Sequence, residues 1–274
     1  ICINFINYYK KHIQLYKLQN EISISLENLP SPKTVMEEDY TNLILNLNKE
    51  YKTYISKSDI AKSDMIDYYT MWVHQIKTPI AGLRLLIQSG ELSPHLLSMQ
   101  ILRIEQYVDM MMYYVKMGYM NQDLKIGHYK IGDIVNGVVK KQSLFFIHKK
   151  ISLNLEELDE EIVTDEKWTS FIIEQILSNA LKYTKEGSIR IYMKGYTLYI
   201  EDTGIGIKKE DLPRVFEKGF TGTNGRIDKK ASGLGLYLVK NICDTLGYPI
   251  HIESEVNKGT TVSICFEKKP LIVE

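Results

Sequence analysis

The sequence has few cysteines, no excess of charge of either sign and no apolar run long enough to cross a bilayer. Its 274 residues include three cysteines, Cys2, Cys243 and Cys265, without metal-type or disulfide-type spacing, which indicates a reducing compartment. The 34 basic and 34 acidic side chains cancel, which argues against a direct nucleic-acid binder, because such proteins carry a basic excess. The length suits one or two globular domains with a full core.

The first nine residues are apolar but about ten residues short of a membrane span. Lys10, Lys11 and His12 follow them at once. An apolar end bounded by lysines is typical of the cytoplasmic end of a membrane helix. Because the first residue is Ile, we expect a fragment of a longer, membrane-anchored chain, and a frayed terminus is the alternative.

Two long segments have the apolar spacing of helices that pack lengthwise on other helices. A first, shorter helix is expected over 13–29, and Pro30 and Pro32 end it. A second should cover about 40–88, and after a break at 89–92 Ser93 can cap a third. Steps of four and three join Leu47, Tyr51, Tyr54, Ser58, Ala61, Met65, Tyr68 and Trp72 in the second, and Leu97, Ile101, Ile104, Val108, Met111 and Val115 in the third. These heptad seams predict a helical hairpin that pairs into a four-helix dimer.

One histidine of the second helix lies off its seam. His74 comes two residues after the seam residue Trp72, about 200° round the helix, and therefore points away from the seam. Thr78 stacks on the same face one turn later, and Pro79 should bend the helix there. Packing on an amphipathic helix is the ordinary explanation for a lone histidine, but the outward position indicates a presented imidazole.

Past Gly118 helices and strands mix. Asp165 can cap a helix that runs to about Tyr183. Consecutive strands with tight turns and separate helices predict an α+β sandwich. We expect helices at 131–146, 165–183 and 234–246, and strands at 151–155, 188–194, 197–201, 250–255 and 260–267.

Three groups in this second half suit a nucleotide. Gln175, Asn179 and Lys182 form a polar stripe on an otherwise apolar helix, which is either a solvated face or a source of neutral oxygen ligands for Mg²⁺. Asp202 ends a strand before Gly204 and Gly206, where a carboxylate can accept a hydrogen bond from an exocyclic amine and glycines let the backbone approach a flat ring. Residues 233–236, Gly-Leu-Gly-Leu, open a helix whose N–H groups can face phosphate. The P-loop and the dinucleotide fingerprint are both absent from the sequence.

Taken together and in order, these motifs resemble those of two-component sensor histidine kinases. The stretch from His74 to Pro79 resembles the phosphoacceptor box, and residues 179–184 the asparagine box. Residues 202–206 and 233–236 are similar to the two glycine boxes, and Phe216 to Phe220 to the phenylalanine box. Residues 72–79 and 216–222 resemble the Bce-type kinases, which respond to antimicrobial peptides beside a transporter.

The resemblance implies a membrane-proximal linker (1–62), a dimerising histidine-phosphotransfer hairpin (63–122) and a Bergerat-type ATPase domain (123–274) on the cytoplasmic side of the cell membrane. It implies ATP and Mg²⁺ as cofactors, and as partners a second copy, a response regulator and an ABC-transporter permease. His74 would accept the phosphoryl group, and Thr78 would position a water. The implied nucleotide and metal residues are Asp202 at adenine, Asn179 and Gln175 at Mg²⁺, Lys182, Gly233 and Gly235 at phosphate, and Tyr183, Gly204, Gly206, Phe220, Leu234 and Leu236 around the nucleotide. Arg226, Lys229 and Lys230 are lid candidates from their charge.

Two residues depart from the family pattern. Gln75 stands where most members have an acid, and an amide can orient an imidazole N–H but cannot take a proton. Either a neutral imidazole attacks without a strong base, or an acid from elsewhere, such as Asp67, serves. Gln175 replaces a common asparagine but keeps an amide oxygen. The rival functions are a non-catalytic dimeric scaffold, which Gln75 favours, and a chaperone or DNA-repair ATPase, which leaves the outward histidine unexplained.

Overall fold

The computed structural model describes residues 2–20, 26–90, 92–222 and 233–267. The chain divides into two compact units, Ile1–Tyr69 and Thr70–Glu274. Among the described helices, none combines the length and the apolar character that a membrane crossing requires.

The first unit is helical. Helix α1 covers Cys2–Gln19, a short 3-10 turn covers Leu26–Asn28, and the long helix α2 begins at Val35. The expected helix over 13–29 is therefore wrong at both ends, since α1 begins at Cys2 and ends at Gln19. Its start was missed because the apolar spacing of residues 13–29 says nothing about residues 2–12. Lys11 Nζ lies 2.7 Å from Glu37 Oε2, which joins α1 to the first turn of α2.

Helix α2 (Val35–Gln88) continues through Pro79, and α3 (Pro94–Met117) runs back along its C-terminal part. The indole Nε1–H of Trp72 donates to the backbone oxygen of Tyr107 at 2.7 Å. Within the single chain, the buried residues of α3 are Met99, Leu102 and Met110, which lie outside the predicted heptad row. The predicted residues Ile101, Val108 and Val115 remain 48%, 41% and 43% exposed.

The α+β sandwich predicted for the rest of the chain is confirmed. After a short helix α4 (Met120–Asp123), this part contains the helices α5 (Ile131–Lys149), α6 (Glu166–Tyr183) and α7 (Gly235–Leu246). Its larger sheet contains the strands β2 (Ser152–Leu155), β4 (Ser188–Lys194), β5 (Thr197–Asp202), β6 (Ile250–Glu255) and β7 (Gly259–Cys265). The order of these strands is β2-β4-β5-β7-β6, with β2 and β4 parallel and the other neighbours antiparallel.

The sequence analysis did not predict the second, smaller sheet. It pairs β1 (Ile126–Lys130) with β3 (Glu161–Asp165) in antiparallel register. Strand β3 brings Asp165 to the start of α6, where its carboxylate accepts the backbone N–H groups of Lys167 and Trp168 at 3.0 and 3.1 Å. This N-cap fixes where α6 begins, as predicted.

Helix α3 packs on the sandwich within the second unit. The ring of Tyr113 stacks on Phe171 of α6 with centroids 4.1 Å apart. Lys141 of α5 lies 2.9 Å from Asp109 of α3 and 3.0 Å from Glu174 of α6. Aromatic contacts of Tyr113 with Phe171 and Trp168, together with this three-residue charge cluster, join α3 to the sandwich.

Candidate functional site

A cavity of about 200 Å³ opens between α6, the sheet and the start of α7. Most of the residues that the sequence analysis assigned to a nucleotide line it together. Gly204 and Leu234 do not line the cavity. Gly204 donates its backbone N–H to Asp202, and Leu234 is buried. Arg226, Lys229 and Lys230 lie outside the described residues. The predicted residues that line the cavity are Gln175, Asn179, Lys182, Tyr183, Asp202, Gly206, Phe220, Gly233, Gly235 and Leu236.

Asp202 forms the polar floor of this cavity. Its side chain is only 8% exposed, and Oδ1 accepts the Gly204 N–H at 2.8 Å. Burial raises the pKa of the Asp202 carboxyl to about 6, against the opposing hydrogen bonds from the backbone of Gly204 and Thr260. Apolar side chains, among them Ile176, Ile200 and Val262, surround the carboxyl group. One acceptor in an apolar slot suits a flat heterocycle that bears an amine.

The glycines beside Asp202 are needed for close packing against neighbouring backbone, in addition to the approach of a ring that the sequence predicts. Gly206 has φ +68°, and a Cβ there would lie 2.1 Å from the backbone oxygen of Glu255. A Cβ on Gly204 would lie 2.7 Å from the backbone oxygen of Tyr183. These two glycines therefore let the turn after β5 close onto α6 and the β6–β7 hairpin.

Helix α6 carries the amide groups of the site. Gln175 is 7% exposed, and its amide oxygen lies 2.9 Å from where a Cβ on Gly235 would be placed. It therefore lies directly against the first residue of α7. Asn179, one turn later, is partly exposed to the cavity, and Lys182 Nζ lies 5.0 Å from the ring centroid of Tyr183. The wall thus presents amide oxygens and one cation at its open side.

One lysine outside the predicted set holds the C-terminal end of α6. Lys149 Nζ of α5 donates to the backbone oxygens of Leu181, Lys182 and Thr184. The last carbonyls of a helix have no N–H partner further along the same helix, and a cation at that end also complements the helix dipole. Because it comes from a different helix, no local spacing in the sequence indicates this contact.

The phosphoacceptor candidate lies on α2 within the same compact unit. His74 is exposed, as its position off the seam predicts, and Thr78 is exposed one turn later with Oγ1 3.4 Å from the backbone oxygen of His74. Gln75 is half-buried, and its Oε1 accepts the Tyr107 hydroxyl at 3.0 Å. In the described part of the chain, His74, Gln75 and Thr78 are not among the residues that line the cavity.

Two further residues that the sequence analysis missed come from α3. Tyr107 and Met110 line the cavity beside the residues of the sandwich. Burial raises the pKa of the Tyr107 hydroxyl above its ordinary value, and the protonated hydroxyl donates a hydrogen bond. Nothing in the periodicity of α3 marks either residue, since both lie off the predicted seam.

Comparison with known proteins identifies the family. The model of the histidine kinase-, DNA gyrase B- and HSP90-like ATPases matches residues 164–270. Sensor protein BceS of Bacillus subtilis (strain 168) is 30% identical over 268 residues, which cover 94% of this chain and 80% of BceS. The chain belongs to the Bce-type sensor histidine kinases. Sensor protein kinase GraS of Staphylococcus aureus (strain JH1) is 36% identical over 212 residues, 75% of this chain and 61% of GraS.

A solved structure is also similar to this Bce-type kinase. Acinetobacter baumannii histidine kinase AdeS matches with a TM-score of 0.48 and 22% identity, over 71% of this chain and 98% of that one. The chain is thus a protein-histidine kinase of a two-component system, with an ATP-binding domain of the gyrase and HSP90 type.

Proposed function

We propose that this kinase transfers the γ-phosphoryl group of ATP to the imidazole of His74 and then to an aspartate of a response regulator. The observation that carries the proposal is the exposed His74 in the same compact unit as the cavity that Asp202 floors. In the first step a nitrogen–phosphorus bond forms, the bond to the β-phosphate oxygen breaks, ADP leaves and the imidazole loses its N–H proton. Such transfer depends on positioning and charge neutralisation more than on covalent help.

The nucleotide would be held by groups from three elements. Ionised Asp202 would accept the adenine amine, with Gly204, Gly206 and Tyr183 shaping the turn and wall around it. Lys182 and the N–H groups at the start of α7, near Gly233 and Gly235, would face phosphate oxygens. Phe220 and Leu236 would close the slot, buried Leu234 would support the start of α7 behind them, and Arg226 would serve as a lid cation.

The donor set of α6 fits Mg²⁺ held jointly with phosphate. Among the described residues no group of three acidic, histidine or cysteine side chains forms a metal cage. In nucleotide sites Mg²⁺ keeps several waters and takes few protein oxygens beside the phosphates, so an amide oxygen of α6 would suffice as the protein ligand. Asn179 would be the first protein ligand, with Gln175 behind it. When bound, Mg²⁺ neutralises charge on the transferring phosphoryl group.

Gln75 cannot be the base for this transfer, because an amide takes no proton. The proton of His74 would leave to water or to an acid such as Asp67 on the same helix stripe. Thr78 would position a water for dephosphorylation of the regulator.

The dimer, the membrane location and the partners proposed for this kinase are inferred from its family and from the exposed apolar row of the hairpin. Ile101, Val108 and Val115 would be covered by a second copy in a four-helix dimer. We infer a linker over 1–62, the hairpin over 63–122 and the ATPase domain over 123–274, on the cytoplasmic side of the cell membrane. An ABC-transporter permease would be the membrane partner, and antimicrobial-peptide or envelope stress the signal.

The chemistry of the phosphorylated product tests this proposal. Incubation with γ-labelled ATP and Mg²⁺ should give a label that is lost in acid and kept in base, as expected for a phosphoramidate. Addition of a response regulator should then move the label to a base-labile acyl phosphate. A chain that binds ATP with Mg²⁺ but takes no label would instead support the non-catalytic scaffold.

A further inference from the structure

Tyr107 contacts both residues that flank His74 on the inner face of α2. Its hydroxyl donates to Gln75 Oε1 at 3.0 Å, and its backbone oxygen accepts the Trp72 indole N–H at 2.7 Å. Residues 72 and 75 are three apart and therefore share one face of the helix. These two hydrogen bonds fix the rotation of the turn that presents His74 on the opposite face.

The same residue borders the nucleotide cavity. Tyr107 and Met110, one turn apart on α3, line the cavity together with Asp202, Asn179 and Phe220. Among the described residues, these two are the members of the hairpin that do so. A nucleotide in the cavity would therefore contact a side chain that is bonded to the His74 turn.

The direction of the hydrogen bond sets what Gln75 can do. An amide oxygen has no proton to give, so the Tyr107 hydroxyl is the donor. The oxygen that could have oriented the imidazole is engaged with α3. Gln75 thus connects the phosphoacceptor turn to α3. This structural role does not require Gln75 to accept a proton, as the acid found there in most family members could.

We propose that Tyr107 is a positioning residue that couples occupancy of the nucleotide cavity to the orientation of the His74 turn through Gln75 and Trp72. It does not touch the reacting atoms. The coupling rests on the proposed transfer from ATP to His74, because the turn that it orients is the phosphoacceptor turn.

Tyr107→Phe tests the coupling, since it removes the hydroxyl and keeps the ring that lines the cavity. We expect the rate of His74 phosphorylation at saturating ATP to fall roughly tenfold, with the ATP concentration for half-maximal rate changed less than about twofold. Gln75→Leu should lower the rate similarly, and the double variant should be no slower than either single variant. Tyr119→Phe, which removes a hydroxyl from an exposed tyrosine outside the site, is the control.

A second measurement does not require phosphoryl transfer. In protein labelled with 5-fluorotryptophan, a non-hydrolysable ATP analogue should shift the fluorine resonance of Trp72, assigned with Trp168→Phe, and the shift should shrink in Tyr107→Phe. A native chain that takes no label contradicts the proposed function, while the Trp72 resonance still decides the coupling. Each of four results would overturn the role of Tyr107. The first two are a phosphorylation rate that Tyr107→Phe leaves unchanged, or a change only in the ATP concentration for half-maximal rate. The other two are effects of Tyr107→Phe and Gln75→Leu that add in the double variant, or a Trp72 resonance that the ATP analogue does not shift.

Discussion

At Asp202 two opposing influences act on one carboxyl group. Burial disfavours its ionised form, whereas the N–H groups of Gly204 and Thr260 favour it, and the pKa settles at about 6 against an ordinary value of 3.8. The folded protein therefore binds this proton more tightly than the unfolded chain, and the contribution to stability falls as pH rises between these values. An ionised carboxylate is what an adenine amine needs, so nucleotide binding and protonation should compete.

The first prediction follows from this competition. A carbon-detected NMR titration should give the Asp202 carboxyl a midpoint near pH 6, and saturating ADP should lower that midpoint because the adenine amine stabilises the carboxylate. Loss of the resonance in Asp202→Asn assigns it. A midpoint near 4 in the free protein, or one that ADP leaves unmoved, contradicts the assigned role.

Replacing Gly206 or Gly195 by alanine distinguishes two ways in which an added methyl group destabilises the fold, namely backbone strain and steric overlap. Both have positive φ, +68° and +57°, but a Cβ on Gly206 meets the backbone oxygen of Glu255 whereas a Cβ on Gly195 meets nothing within 4 Å. Backbone strain alone costs about 1 kcal/mol, and steric overlap with backbone adds about 1–3 kcal/mol. The difference in unfolding free energy between the two alanine variants therefore measures the cost of the overlap between the turn at Gly206 and the β6–β7 hairpin.

In urea unfolding we therefore expect Gly195→Ala to lower the free energy of unfolding by about 1 kcal/mol and Gly206→Ala by about 3 kcal/mol. Equal losses for the two variants would show that the Glu255 contact relaxes at little cost.

At the scale of elements, α6 organises the site because both of its ends are fixed. Asp165 caps the start, and Lys149 donates to three carbonyls at the end. Asn179, Lys182 and Tyr183 all lie within the last two turns of this helix. Their placement in the cavity therefore depends on a lysine that is far away in sequence.

Lys149→Met should lower the free energy of unfolding by about 1–3 kcal/mol, because three helix-end carbonyls lose their donor. Lys140→Met, an exposed position on the same helix, should change it by less than about 0.5 kcal/mol. Both are measured by urea unfolding, with ATP affinity measured in parallel. If Lys149→Met is as stable as Lys140→Met, Lys149 does not stabilise the C-terminal end of α6.

How far the sequence predicts this fold differs from element to element. Helix α6 and strands β4 and β5 were predicted nearly to the residue, since a cap and short turns delimit them. Strands β1 and β3 were missed because they pair across a gap of more than thirty residues, and the glycine and charges of β1 obscure its alternation. The residues of α3 that are buried within the single chain were not predicted, because this helix packs on α2 and on the sandwich, and a single heptad row describes only one partner.

The candidate site divides in the same way. Asp202, Asn179 and the glycines of α7 carry local motifs and were found from the sequence. Tyr107, Met110 and Lys149 reach the site through tertiary packing, which single-sequence periodicity does not encode.

At the scale of the whole molecule, one compact unit contains the cavity, the exposed histidine and the tyrosine that touches the histidine's own turn. In the single chain, His74 lies outside the cavity lining. The proposed phosphoryl transfer to His74 therefore requires either movement of the sandwich along the hairpin or delivery from the cavity of a second copy. The apolar row on α3, which remains exposed in the single chain, is available for that second copy.

The most direct test of the account is to locate the phosphoryl group after a single turnover with ATP and Mg²⁺. Mass spectrometry at alkaline pH should place it on His74 of the native chain. His74→Gln should bind ATP with unchanged affinity and take no phosphoryl group, while Asp202→Asn should lose both binding and phosphorylation. Phosphorylation that persists in His74→Gln, or that maps to another residue of the native chain, would contradict the central claim.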